Sequence, residues 1–371
     1  MERREIGFHS LLTVASVVVV VAGMKAAASL ITPFMLAVFL SVLAIPPARW
    51  LQERGLPPWA SFVVVFVSII GGLAGMGYFL GDSVADFTAH REEYADILRT
   101  RMGPTFDWLS SQGIEMPEEG FKGQLEGDQL MSLLSGAVGA LGAVVANSLF
   151  VILMVGFMLA EAAGLPSKIR MALGDPGADI GRFSRIMDDV NRYLWVKTLV
   201  SLITGLLAWA LCAVVQIEYP FLWGLIAFLL NYIPQLGSYV AAVPPILLAL
   251  VQYDLTWATV VAVGYIAINV LMANIIEPQW LGRTLGLSTL VVFMSLLFWG
   301  FIFGPIGMFL SVPLTMVVKV SLEHSDDLQW VAILLGSGKE TRERVEAAES
   351  GIHLRGTATV TSRFDTKSPG D

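Results

Sequence analysis

The sequence predicts an all-α, polytopic integral membrane protein, and three observations carry that prediction. The chain of 371 residues is 55% hydrophobic and only 15% charged, against roughly 25% charged in soluble domains. Its mean hydropathy is +0.69. The charge is confined to islands, and eight apolar runs free of Asp, Glu, Lys and Arg lie between them. Those runs hold 19 residues after Glu5, 23 after Lys25, 27 after Arg54, 32 after Asp128, 20 after Lys197, 35 after Glu218, 22 after Asp254 and 35 after Arg283. A helix that crosses the hydrocarbon core needs about 20 apolar residues, so all eight qualify. A soluble bundle would need far more charge to cover its surface.

Arg3 and Arg4 before the first run, with Ala26-Ala27-Ala28 behind it, imitate a signal peptide. Lys25 interrupts that pattern and a second apolar run follows at once, so an uncleaved first span is expected. Residues 1–81 then hold three spans. The second connection, Pro46 to Arg54, carries two arginines.

Residues 82–128 form an island with eleven Asp or Glu and four Lys or Arg. Val84, Phe87, Tyr94, Ile97 and Leu98 are spaced as on a helix outside the membrane. A fourth span is expected within 129–162. Residues 163–196 are a basic linker in which Ile180, Phe183, Ile186, Met187, Val190 and Tyr193 recur at helical steps. Such a helix packs on the bundle end or, less simply, lies on the lipid surface. Residues 197–321 are the C-terminal membrane core. The polar segment 322–371 is expected to be largely disordered.

Lys and Arg concentrate in cytoplasmic loops. The basic N-terminus, the 46–54 connection and the 163–196 linker therefore belong inside. The acidic island falls in the periplasm and both termini in the cytoplasm. The partners expected are the lipid bilayer and a small-molecule or ion substrate. The net charge is −8 and there is no basic stripe, so nucleic acid is not a partner. Cys212 is the single cysteine, which leaves no disulfide within the chain.

The two 35-residue runs are too long for simple spans. Each would make a helix of about 52 Å against a core of about 30 Å. Both are interrupted near their middles, the first by Asn231 to Ser238 with Pro244-Pro245, the second by Trp299 to Gly307 with Pro313. Proline removes a backbone donor and clashes with the preceding turn. Each run is a kinked span or a hairpin of two half-helices. Broken segments at membrane depth are tolerated where they line a wet cavity or are buried in protein, and they mark transport sites. A faint repeat, Pro33-Phe34 to Pro46 against Pro220-Phe221 to Pro234, points the same way.

No catalytic constellation stands out. His9, His90, His324 and His353 lie in four separate regions, there is no Walker sequence, and Leu173 to Gly177 reads as a turn. No cofactor or metal is expected, and the chain does not read as an enzyme. Polar residues inside apolar runs are the better candidates, because lipid makes them costly. Asn231, Pro234, Gln235, Gly237 and Ser238 surround the first break. Asn269, Asn274, Glu277, Pro278, Gly282 and Arg283 close the seventh run. Gly304, Pro305 and Gly307 form the second break, a gate or hinge. The plainer reading gives the asparagines interhelical hydrogen bonds and pairs Glu277 with Arg283. The sharper one makes Glu277 a carboxylate that couples transport to H+ or Na+. Gly71-x-x-x-Gly75, Gly300-x-x-x-Gly304 and Gly136, Gly139 and Gly142 would permit close helix approach and a homo-oligomer.

From Asn191 to Lys319 the sequence resembles the core of the AI-2E (autoinducer-2 exporter) family, also described as PerM-type permeases. Four pieces carry the resemblance. They are Phe228-Leu229-Leu230-Asn231-Tyr232-Ile233-Pro234-Gln235-Leu236-Gly237-Ser238 with Ala242-Val243-Pro244-Pro245; Asn274-Ile275-Ile276-Glu277-Pro278-Gln279-Trp280-Leu281-Gly282-Arg283; Leu285-Gly286-Leu287-Ser288; and Gly304-Pro305-Ile306-Gly307-Met308 with Val312-Pro313-Leu314. The resemblance implies a multi-span permease that exports small solutes, autoinducer-2 being the named one. Some relatives look like sodium(lithium)/proton antiporters. Where relatives often carry an aromatic residue and then valine, this chain has Gln235-Leu236, so its preference can differ.

Overall fold

The computed structural model describes residues 15–90, 148–162, 181–281, 287–323 and 329–338, together with residues 93, 94, 96, 97, 100, 168 and 171. The glycines at 136, 139 and 142, the loop carrying Gly282 and Arg283, and the whole of the 101–147 segment lie outside them. The described residues are helical throughout, apart from short connections and one isolated bridge between Leu287 and Gly336.

Helix α1 (Ala15–Ala26) leads within two residues into α2 (Ala28–Glu53). Pro33, Pro46 and Pro47 all sit inside α2. The connection expected from Pro46 to Arg54 is therefore helical as far as Glu53. The faint repeat is not mirrored in local structure, because Pro46 lies in a helix and Pro234 in a reverse turn.

Helix α3 (Pro58–Ala89) starts with proline at its first turn, where the missing donor costs nothing. It runs without a break past residue 81, where the acidic island was expected to begin. Helix α4 (Ser148–Ala162) packs on α2 and α3. Ala37, Ala44, Ala48, Val65, Val151, Val155 and Leu159 form their shared core. Helix α5 (Gly181–Val215) is 35 residues long. It joins the expected linker helix and the fifth span into one element, so residue 197 is no boundary.

The first long run is a hairpin. Helix α6 (Pro220–Leu230) descends, residues 231–236 reverse the chain, and α7 (Gly237–Gln252) returns. Three contacts fix this. A Cβ on Gly237 would lie 1.7 Å from the Leu230 carbonyl oxygen. The Gln252 Oε1 accepts from the Glu218 amide at 3.2 Å, and the Tyr253 hydroxyl donates to the Gln216 carbonyl at 3.1 Å. Both ends of the run thus share one side. At 1.5 Å per residue α6 reaches only about 16 Å inward.

Helix α8 (Leu255–Asn269) is capped by Asp254, whose carboxylate accepts from the Trp257 amide at 3.0 Å. It continues as a π-helix (Val270–Ile276) and α9 (Glu277–Leu281), making one span of 27 residues.

The second long run is also a hairpin and enters from the opposite end. Helix α10 (Thr289–Phe309) is broken at Gly304, which has φ 65° and ψ −147°. Only glycine adopts that backbone readily. Helix α11 (Ser311–Glu323) completes the return arm. A Cβ on Gly307 would lie 2.0 Å from the Trp299 carbonyl oxygen, and the Trp299 indole donates to Thr315 Oγ1 at 2.9 Å. Residues 8 and 16 positions apart touch only if the chain has folded back. Trp299, Ile302 and Phe303 near this tip pack with Val21, Met24, Ala28 and Ile31 at the Lys25 end of the molecule. Lys25 itself lies 3.4 Å over the Phe301 ring.

Two opposed hairpins therefore sit among full-length crossings. Of the 322–371 segment, residues 329–335 form a further helix, α12 (Gln329–Leu335), with Ala332 fully buried. The Leu335 carbonyl accepts from the Ser288 amide at 3.2 Å. Residues beyond 338 lie outside the described part.

A polar cluster closes the Glu218 end. The Tyr94 hydroxyl donates to the Glu218 carboxylate, and the Tyr219 hydroxyl donates to Asp86 Oδ2 at 2.5 Å. The extension of α3 is thereby tied to the base of the first hairpin. Burial, then the bond to Asp86, pushes the Tyr219 phenol up to about 12 from its ordinary 10. A group raised in the folded state stabilises below its unfolded pKa and loses that contribution as pH rises through the folded one. Thermal unfolding of detergent-solubilised protein should therefore show an alkaline loss between pH 10 and about 12. Tyr219→Phe should remove that component.

Candidate transport site

The site is built on one face of α5. Tyr193, Lys197 and Ser201 follow at four-residue steps, so their side chains stack along one line of the helix. Gly205 continues the line. A Cβ there would lie 2.7 Å from the Gly224 carbonyl oxygen. The two glycines let α5 and α6 cross in close contact, in the way small residues do inside membranes. This crossing brings the tip of the first hairpin against α5.

Lys197 Nζ donates to both carboxylate oxygens of Glu277, at 2.8 and 3.0 Å. The lysine side chain is 6% exposed and the carboxylate 17%. Expected as the counter-charge of Glu277, Arg283 lies outside the described residues; the lysine that answers Glu277 comes from 80 positions earlier. The π-helix aims the carboxylate. In it the Glu277 amide reaches the Met272 carbonyl, five residues back. Residue 278 is proline and has no N–H. The Ala273 carbonyl thus loses both its i+4 and i+5 donors. π-turns of this kind recur at functional sites.

One turn along α5, Ser201 Oγ accepts from Asn231 Nδ2 at 2.9 Å, and Asn231 Oδ1 accepts from Ser238 Oγ at 2.7 Å. The Tyr232 hydroxyl donates to Thr198 Oγ1 at 2.8 Å. Its ring is held by Phe39, Phe228 and Phe309 at centroid distances of 5.9, 5.7 and 4.3 Å. Phe309 belongs to the second hairpin, so Tyr232 is where the two broken elements meet. Asn231→Leu would leave two hydroxyls short of a partner in an apolar medium. A loss of about 1–3 kcal/mol is expected, read as a lower melting temperature in detergent, while Ser238→Ala should cost less.

The predicted residues divide in space. Asn231, Pro234, Gln235, Gly237 and Ser238 do gather at one tip, with Gln235 exposed in the left-handed region at φ 64°. Glu277 joins them through α5. Asn274 and Pro278 are exposed beside it, and Asn269 is buried about two turns away in α8. Gly304, Pro305 and Gly307 form the other tip, near Lys25. The close approach expected at Gly71 and Gly75 is not found among the described residues: a Cβ at either meets nothing within 4 Å. Sequence reading missed Lys197, Thr198, Ser201 and Tyr232. Lys197 looked like the close of the basic linker before an apolar run, although its four-residue spacing to Ser201 and Tyr193 was visible.

Two opposed broken elements, meeting beside a charged and hydroxylated cluster among apolar helices, have the architecture of a membrane transport protein. Residues 14–327 match the AI-2E family transporter model, and the chain belongs to that family. It is 36% identical to the AI-2 transport protein TqsA of Escherichia coli (strain K12) over 329 residues, which cover 89% of this chain and 96% of that protein. It is 34% identical over 334 residues to YhhT of the same organism, covering 90% and 95%. With YrrI of Bacillus subtilis (strain 168) it shares 28% over 310 residues, covering 79% and 85%.

Proposed function

We propose that this protein is a permease that moves a small polar solute, such as an autoinducer-2-like signal, outward across the bacterial inner membrane. The observation that carries the reading is the meeting of both hairpins beside Lys197–Glu277 and Asn231–Ser201–Ser238. Reversed backbone at membrane depth is tolerated where it is buried in protein or lines a wet cavity, and two such breaks in one chain point to a path. In this reading both termini are cytoplasmic. The first hairpin then enters from the periplasm and the second from the cytoplasm. Asn231 to Ser238 and Asn274 to Arg283 line the path, and Gly304 to Gly307 hinge the second hairpin. The open side of α3 at Gly71 and Gly75 supports a homo-oligomer, which crosslinking in membranes would test.

Proteoliposomes loaded with candidate solutes provide the test. Efflux without an ion gradient supports a permease. Sodium or lithium movement that depends on a pH gradient, abolished by Glu277→Gln, would replace it with a sodium(lithium)/proton antiporter. No flux of any solute or ion would point to a non-transporting membrane scaffold.

A further inference from the structure

The ion pair sets the charge of the site. Lys197 contributes +1 and Glu277 −1, bonded through both carboxylate oxygens. Among the described residues α9 packs mainly on α5 and the π-helix, and its Leu281 also joins the apolar residues Phe39, Leu310 and Val312. From α5, Lys197 and Tyr193 face Glu277; the π-helix sequence Val-Leu-Met-Ala-Asn-Ile-Ile has no ionisable side chain. The other buried lysine, Lys319, has Glu323 of its own helix at 3.9 Å. Among the described residues the Lys197–Glu277 pair is thus neutral while holding two full charges.

A neutral site of this kind discriminates by charge. An ion entering it adds an uncompensated charge to a poorly solvated region, at a cost of several kcal/mol. A neutral solute adds none. Its hydroxyls can donate to Glu277 and accept from Lys197. Asn231, Ser201, Ser238, Thr198 and Tyr232 supply further donors and acceptors within two turns of α5. We infer that Lys197 and Glu277 together determine charge selectivity, admitting neutral solutes that bear hydroxyl or carbonyl groups and rejecting free cations and anions. This rests on the permease reading and assigns Lys197 a selectivity role within it.

The two single neutralisations should act with opposite sign. Lys197→Met leaves a net −1 and favours cations. Glu277→Gln leaves a net +1 and favours anions. Lys197→Met with Glu277→Gln restores a net charge of zero and rejects both. A purely structural clamp would give the same leak, or the same loss, in both single variants.

The experiment measures fluxes in proteoliposomes of a panel of neutral three- to six-carbon polyols and sugars, and of sodium and chloride. Wild type should move at least one neutral solute and neither ion. The sodium-to-chloride flux ratio should rise about tenfold or more in Lys197→Met and fall by as much in Glu277→Gln. The double variant, again of zero net charge, should exclude both ions whatever its solute flux, which keeps the test decisive if a single variant fails to fold. Wild type that moves a neutral solute, with ratios unchanged in folded single variants or with ions passed by the folded double variant, overturns this inference alone. Wild type that moves sodium in preference to every neutral solute overturns it together with the permease reading.

Discussion

Glu277→Gln is expected to destabilise the protein by about 3–5 kcal/mol, the usual cost of breaking one side of a buried ion pair. The magnitude follows from what remains. The Lys197 side chain is 6% exposed and loses both of its carboxylate bonds. It sits about 13 Å along α5 from Asp188, where the apolar span begins, and its stem cannot easily carry the charge to the membrane surface. Lys197→Met strands the carboxylate instead, but Glu277 is closer to its helix end and more exposed, so the loss should be smaller. Combining the two changes removes both charges, and replacing a buried pair by uncharged groups is often neutral. The ordering wild type, double variant, Lys197→Met, Glu277→Gln should appear in melting temperatures measured in one detergent. Equal stability of wild type and Glu277→Gln would show that the lysine finds water.

The second large effect belongs to the hairpin turns. Gly237→Ala places a methyl 1.7 Å from the Leu230 carbonyl oxygen, and Gly307→Ala places one 2.0 Å from that of Trp299. Both obstacles are backbone, so no side chain can swing aside. Each change should cost about 3 kcal/mol or more, the upper end for overpacking. Each should also separate the arms that assemble the site, so transport falls with stability. Gly75→Ala is the control. A Cβ there meets nothing, and the change should stay within about 1 kcal/mol of wild type. A Gly237→Ala protein that melts and transports like wild type would refute the tight turn.

Much of this fold was legible because lipid leaves backbone few options. Each charge-poor run holds at least one apolar helix among the described residues, and proline with glycine reported the two breaks. Whether those breaks kink or reverse the chain could not be read. An apolar run carries no mark of the side on which it ends; contacts between residues 230 and 237, and 299 and 307, decide it. Element boundaries placed at changes of charge failed at residues 81 and 196, because one helix passes from water into lipid without changing its hydrogen bonds. The residues around Asn231 and Glu277 were visible as polar groups in apolar surroundings. Lys197 was hidden by the same logic. A lysine at the edge of a basic linker looks like part of that linker, and its partner lies 80 residues away.

Each hairpin leaves and re-enters on one side, which bears on how the chain is made. A segment that never reaches the far side cannot be threaded across as an ordinary span. It must be seated laterally, into a space that its neighbours have already shaped. For the first hairpin that space is framed by α5 at Gly205 and by Phe39 of α2. For the second it is framed by α1 and α2. Both frames are synthesised before the hairpins that fill them. The cluster around Asn231 and Tyr232 is therefore a late product of assembly, completed only when two hairpins settle against helices made before them.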